Sequence, residues 1–179
     1  MNSVIRRLAP VLLATLALSA CGAGGEPDAL AVGELSISRS GLNELRVSLQ
    51  QIDPDGPDLP VTLNADQVRL DGAIWIVNAA QTQYLSTLGI DMSESDESVA
   101  SQTLEEAIAN GGLGPLSRSS EAWAALVRNV WLTSVQNNFD NPESQAAIDV
   151  LLNEADVDSR LGVWDPVDRV IVPRVVANP

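Results

Sequence analysis

Apolar and polar positions alternate differently in successive parts of the chain, and each pattern predicts its own element. "ALAVGELSIS" (Ala29–Ser38) has the short period of two strands, with Gly33-Glu34 between them. A glycine at the first central position suits a type II′ hairpin turn. Leu42, Leu45, Leu49 and Ile52 then recur at helical spacing, predicting a helix from a Ser40 cap to about Ile52. "DPDGPDLP" breaks it with prolines, a glycine and acids. Asn64 caps a longer helix that runs to Leu88, with Gly89 placed as its C-terminal cap. Leu70, Ile74, Val77, Tyr84 and Leu88 form its main stripe, and Val68, Trp75, Ile76 and Ala79 widen it. A helix apolar over so much of its circumference is packed on several sides, so this one is the expected centre of the fold.

Three further helices follow. Ser93 caps the first, with Glu94, Asp96 and Glu97 at its positive end and Val99, Leu104 and Ile108 on its apolar side. Gly111 or Gly112 ends it. Ser119 or Ser120 caps the next, on which Trp123, Val127, Val130 and Trp131 share a face. Asn141 caps and Pro142 opens the last, with Ala146, Ile148, Val150, Leu151 and Leu152 on its buried side. Beyond Asp156 the period shortens again, and "RVIV" (Arg169–Val172) reads as a strand bounded by Pro173. An isolated hairpin is marginal in water. The strand at about 169–172 is therefore expected to return to the N-terminal hairpin at 29–38; the alternative is a loose tail. The predicted class is mainly α: about five helices with this small antiparallel β element.

The start of the chain follows another logic. "MNSVIRR" is basic, "LAPVLLATLALSA" is apolar, and small residues follow, which is the layout of a signal peptide. The apolar run is shorter than the roughly 20 residues a membrane-spanning helix needs. Leu18-Ser19-Ala20-Cys21 resembles the lipobox of bacterial lipoproteins, and Cys21 is the one cysteine present. That resemblance implies cleavage before Cys21 and acylation of its thiol and amine, giving the two chains that stable anchoring requires. The alternative is a secretory leader with an incidental cysteine. The expected organisation is a leader over 1–20, a flexible tether over 21–28 and one domain over 29–179. The expected location is the cell membrane, lipid-anchored on its extracytoplasmic face.

Charge narrows the function classes. The chain carries 24 acids against ten basic residues, all arginine, for a net charge of −14. The leader takes Arg6 and Arg7 with it and no acid, so the mature chain is more acidic still. Such a surface argues against nucleic acid as a partner, because phosphates select basic faces. It also argues against a second, electrostatic docking site on anionic lipid. A well-solvated surface accounts for the charge, and an acidic face collecting cationic peptides or metal ions is the other reading.

Candidate chemistry is sparse. Asp53, Asp55 and Asp58 around Gly56 evoke a calcium loop, but the glycine stands at position 4 from Asp53, where an EF-hand needs it at 6. A turn explains the stretch. "GGLGPLSR" (Gly111–Arg118) resembles the glycine-rich turn of parvulin-type prolyl isomerases, yet the histidines of that site are absent, and a helix cap plus loop explains it. Histidine-based nucleophilic triads are excluded by the same absence. No metal ligand set and no cofactor site is expected, and no catalytic residue is assigned. Trp75, Trp123 and Trp131 stand among aliphatics at helical spacing, which reads as core. Where exposed, they and Tyr84 are the candidates for lining a client groove.

The order of these pieces resembles the SurA N-terminal domain of extracytoplasmic folding factors. Val32-Gly33, Ile37-Ser38, Leu42 and Leu45 match its opening strand pair and helix. Leu88-Gly89-Ile90, Met92-Ser93 and Val99 match its joint between helices, with the spacing to Val99 stretched. "SRLGVWDP" is similar to an "NPRYG-WDP" segment in lipoproteins of this group, through Arg160, Gly162 and Trp164-Asp165-Pro166. The resemblance implies a helical, chaperone-like module, anchored through Cys21, that shields unfolded secreted polypeptides. The chain has no room for the parvulin domain many relatives insert, so isomerase activity is not carried over. The alternative is a structural or assembly lipoprotein that binds one fixed envelope partner.

Overall fold

In the computed structural model, residues 26–50 and 63–174 are described. Cys21, most of the tether, Ile52 and the acidic loop around Gly56 lie outside them. Strands β1 (Asp28–Val32) and β2 (Leu35–Ser38) pair antiparallel, setting Leu30 against Ile37. Gly33 turns the hairpin at φ +57°, and Glu34 keeps an ordinary negative φ, as a type II′ turn requires. The fold begins slightly earlier than expected: Asp28 already belongs to β1, and the Glu26 carboxylate accepts a hydrogen bond from the Ser40 N–H at 3.2 Å.

Helix α1 (Arg39–Gln50) follows β2 without a loop. Its cap is Ser38, whose Oγ accepts from the Gly41 N–H at 3.1 Å, and not Ser40. A serine ending a strand still has the extended backbone that an N-cap needs, whereas Ser40 is already helical. Ser38 also donates through N–H and Oγ to the Glu121 carboxylate, at 2.8 and 2.5 Å. That ties the hairpin to helix α4 (Glu121–Ser134).

Helix α2 (Ala65–Thr87) is the central element, packed against α1, α4, β1, helix α5 (Pro142–Asn153) and strand β5 (Val170–Val172). Asn64 caps it. At the other end Gly89, at φ +71°, and Ile90 bond back to the Ser86 and Leu85 carbonyls, which is a Schellman motif. Its buried face differs from the expected stripe. Leu70 is 58% exposed, Ile74 50% and Leu88 52%, while Val68, Ala73, Trp75, Ile76, Ala79, Ala80 and Leu85 are buried. Small residues explain the rotation, because they let neighbouring elements come close. A β-carbon on Gly72 would stand 3.0 Å from Ile171 and 3.2 Å from Leu30.

Helix α3 (Glu94–Ala109) opens with a Ser93–Asp96 capping box and lies on α4. It buries Ala100 and Leu104, but Val99 is 63% exposed, outside its expected apolar side. Ser120 caps α4 and Asn141 caps α5. On α5, Ile148 and Leu152 are buried, whereas Ala146 and Val150 face solvent.

The class is mainly α with small antiparallel sheets, and the C-terminal pairing corrects the expectation. The strand that joins the N-terminal hairpin is β3 (Asp156–Val157), giving the order β2-β1-β3. β5, near the expected 169–172, instead pairs with β4 (Val163–Asp165). The turn between them is closed locally: Asp165 Oδ1 accepts from the N–H groups of Val167 and Asp168 at 3.0 and 3.2 Å. Closing a short loop costs less entropy than a return across the molecule. β5 docks on α2 through Ile171, and Gly162 permits the close approach before β4, since a β-carbon there would overlap the Val172 carbonyl.

Candidate functional site

Three helices leave one apolar cleft where α1, α2 and α4 meet. Leu45 and Leu49 come from α1, Ile74 and Trp75 from α2, and Ala125 and Leu126 from α4; the cleft measures about 190 Å³. Its outer wall is Ile74, half exposed, and Trp75 contributes from an otherwise buried position.

Polar groups stand at intervals along the same cleft. Asp71 lies in its wall with 6% of its side chain exposed and accepts from Arg46 Nη1 at 3.1 and 3.3 Å. Burial pushes the Asp71 carboxyl above its ordinary range, and the Arg46 guanidinium pulls it only part of the way back. Arg46 Nε is buried without a hydrogen-bond acceptor among the described residues. Farther along α2, Asn78 Nδ2 donates to Asn129 Oδ1 of α4 at 3.2 Å. This bond leaves Asn78 Oδ1 and Asn129 Nδ2 with no partner among the described residues, one acceptor and one donor on the cleft wall.

The four aromatic candidates are not brought together. Trp75, Trp123 and Trp131 are 3%, 5% and 4% exposed and belong to the core, and Tyr84 is half-buried against it. Only Trp75 reaches the cleft. Arg118 stacks over the Trp123 ring, 6.0 Å from its centre. Leu45, Leu49 and Ile74 stand on the apolar stripes of the sequence but line the cleft, and the one sequence signal for Asp71 is a lone acid in the apolar run "RLDGAIW".

The "SRLGVWDP" residues have structural work. Asp158 accepts from Arg160 Nε and Nη2 at 2.9 and 2.6 Å and forms an ion pair, without a hydrogen bond, with Arg39 Nη2 at 3.5 Å, while its N–H bonds the Ala29 carbonyl. Hydrogen bonds from the Arg160 side chain and N–H, with the charges of Arg160 and Arg39 behind them, hold the Asp158 pKa down to about 2. Trp164 Nε1 donates to the Leu152 carbonyl at 2.7 Å, fastening β4 to α5. Among the described residues no group of three or more acids gathers into a metal cage, and no helix is long and apolar enough to cross a membrane. No family model matches the sequence, and no curated protein or solved structure proved similar to it.

Proposed function

We propose that this chain is a lipid-anchored, polypeptide-binding module of the SurA N-terminal kind. It stands on the extracytoplasmic face of the membrane and holds apolar segments of unfolded secreted proteins without catalysis. The observation that carries the reading is the open apolar cleft between α1, α2 and α4, with Ile74 in its wall. A half-exposed isoleucine beside an apolar surface that no other described residue covers gains by covering itself with another apolar group. The lipobox-like Leu18-Ser19-Ala20-Cys21 supports the anchor. Light scattering of an aggregating client tests the reading: the full chain at several-fold molar excess suppresses aggregation, and absence of any suppression overturns it.

A second reading has its own observation. A cleft of about 190 Å³ admits little more than one side chain, which suits a single dedicated envelope partner as well as a series of clients. Crosslinking in membranes separates the two: one dominant product indicates a fixed partner, a smear of products indicates clients.

A further inference from the structure

We infer that the α1/α2/α4 cleft is an anchor site for a single bulky apolar side chain flanked by lysine or arginine in the bound polypeptide. This rests on the polypeptide-binding reading and names the class of segment that the site takes.

Volume sets the first limit. A cavity of about 150 Å³ accepts a benzene ring, whereas pockets for drug-sized ligands run to about 300–1,000 Å³. At about 190 Å³ the cleft takes one aromatic or branched aliphatic side chain, and a cofactor is too large for it. Length sets the second. From Asp71 to Asn78 along α2 is roughly 10 Å at about 1.5 Å per residue, the reach of roughly three residues of extended chain.

Polar chemistry at the two ends then fits a polypeptide. Asn78 Oδ1 and Asn129 Nδ2 present one acceptor and one donor, which is the complement of one peptide group. At the other end the Asp71 carboxylate receives only one nitrogen of Arg46, so it retains lone pairs for a further donor. The apolar side chain sits between them, against Leu49, Ile74, Trp75 and Leu126. Charge selects the flanks. The chain carries −14 overall and no lysine, so a segment with basic neighbours is drawn in and an acidic one is repelled.

The probe is a capped pentapeptide with photoreactive benzoylphenylalanine between two lysines, presented to the full lipidated chain in phosphatidylcholine vesicles. The expected result is crosslinking to the cleft segments around Leu49, Ile74 and Leu126. A peptide with glutamates in place of the lysines labels at least about tenfold less, and raised salt narrows that gap. Ala125→Phe, which fills the cleft, abolishes labelling. Ile74→Asp, at a half-exposed position, lowers it about tenfold while the thermal transition stays in place. Labelling confined to other surfaces, or equal labelling by the glutamate peptide, overturns the inference. Cleft labelling without suppression of client aggregation leaves this site standing and removes the chaperone reading. Suppression of aggregation with labelling elsewhere does the reverse.

Discussion

Arg46 reaches Asp71 with a single nitrogen: Nη1 lies 3.1 Å from Oδ2 and 3.3 Å from Oδ1, tying α1 to α2 beside the apolar cleft. Removing one member of a buried pair leaves the other uncompensated, which costs more than the pair itself is worth. Arg46→Ala should therefore destabilise the chain by about 2–4 kcal/mol in urea unfolding, a little below a fully buried case because Arg46 is 14% exposed. The double variant Arg46→Met/Asp71→Leu should recover most of that loss.

The same carboxyl has a distinct acid signature. Because burial raises its pKa above the ordinary 3.8, the folded chain binds a proton at Asp71 that the unfolded chain has released. The Asp71 contribution to stability therefore falls as pH rises from 3.8 through the raised value, and is level above it. Asp158 works in the opposite sense. Its contribution is present above 3.8 and is lost as pH falls through about 2. Urea midpoints from pH 6 down to about pH 2 should show the acid loss flattened in Asp158→Asn. In Asp71→Asn the acid loss should be steeper.

Gly162 is the close contact that seats the C-terminal hairpin. Gly162→Ala should cost about 1–3 kcal/mol, since its β-carbon overlaps the Val172 carbonyl and something must shift. Gly112→Ala serves as the control, because a β-carbon there meets nothing closer than 3.4 Å. Thermal unfolding of the two variants should separate them clearly.

The anchor proposal makes a cellular prediction. Cys21→Ser should abolish incorporation of an alkyne fatty-acid label and move the chain out of the membrane fraction, since a single acyl chain binds only reversibly and none does not bind at all. A Cys21→Ser chain that keeps both label and membrane location contradicts the proposal.

Some of these features were legible in the sequence and others were not, for a physical reason. Asn64, Ser93 and Asn141 were readable as caps, and Ser120 as one of two adjacent serines, because each bond closes within three residues of its own serine or asparagine. Gly33 and Gly89 were readable for the same local reason. The core position of Trp75, Trp123 and Trp131 followed from helical spacing. The face of α2 did not follow, because ranking by side-chain size favours Leu70 and Ile74. Gly72, Ala79 and Ala80 are buried because other elements approach there. β3 is two residues long and carries no period of its own, so its partner could not be read. The cleft was hidden for a related reason: its walls come from three helices whose relative rotation is set by packing alone.

Client aggregation followed by light scattering, with the wild-type chain and Ile74→Asp side by side, tests the central claim most directly. The account predicts that the wild type suppresses scattering at several-fold excess and that Ile74→Asp, folded to the same melting temperature, has lost most of that effect. Scattering that rises equally with and without the wild-type chain would contradict it.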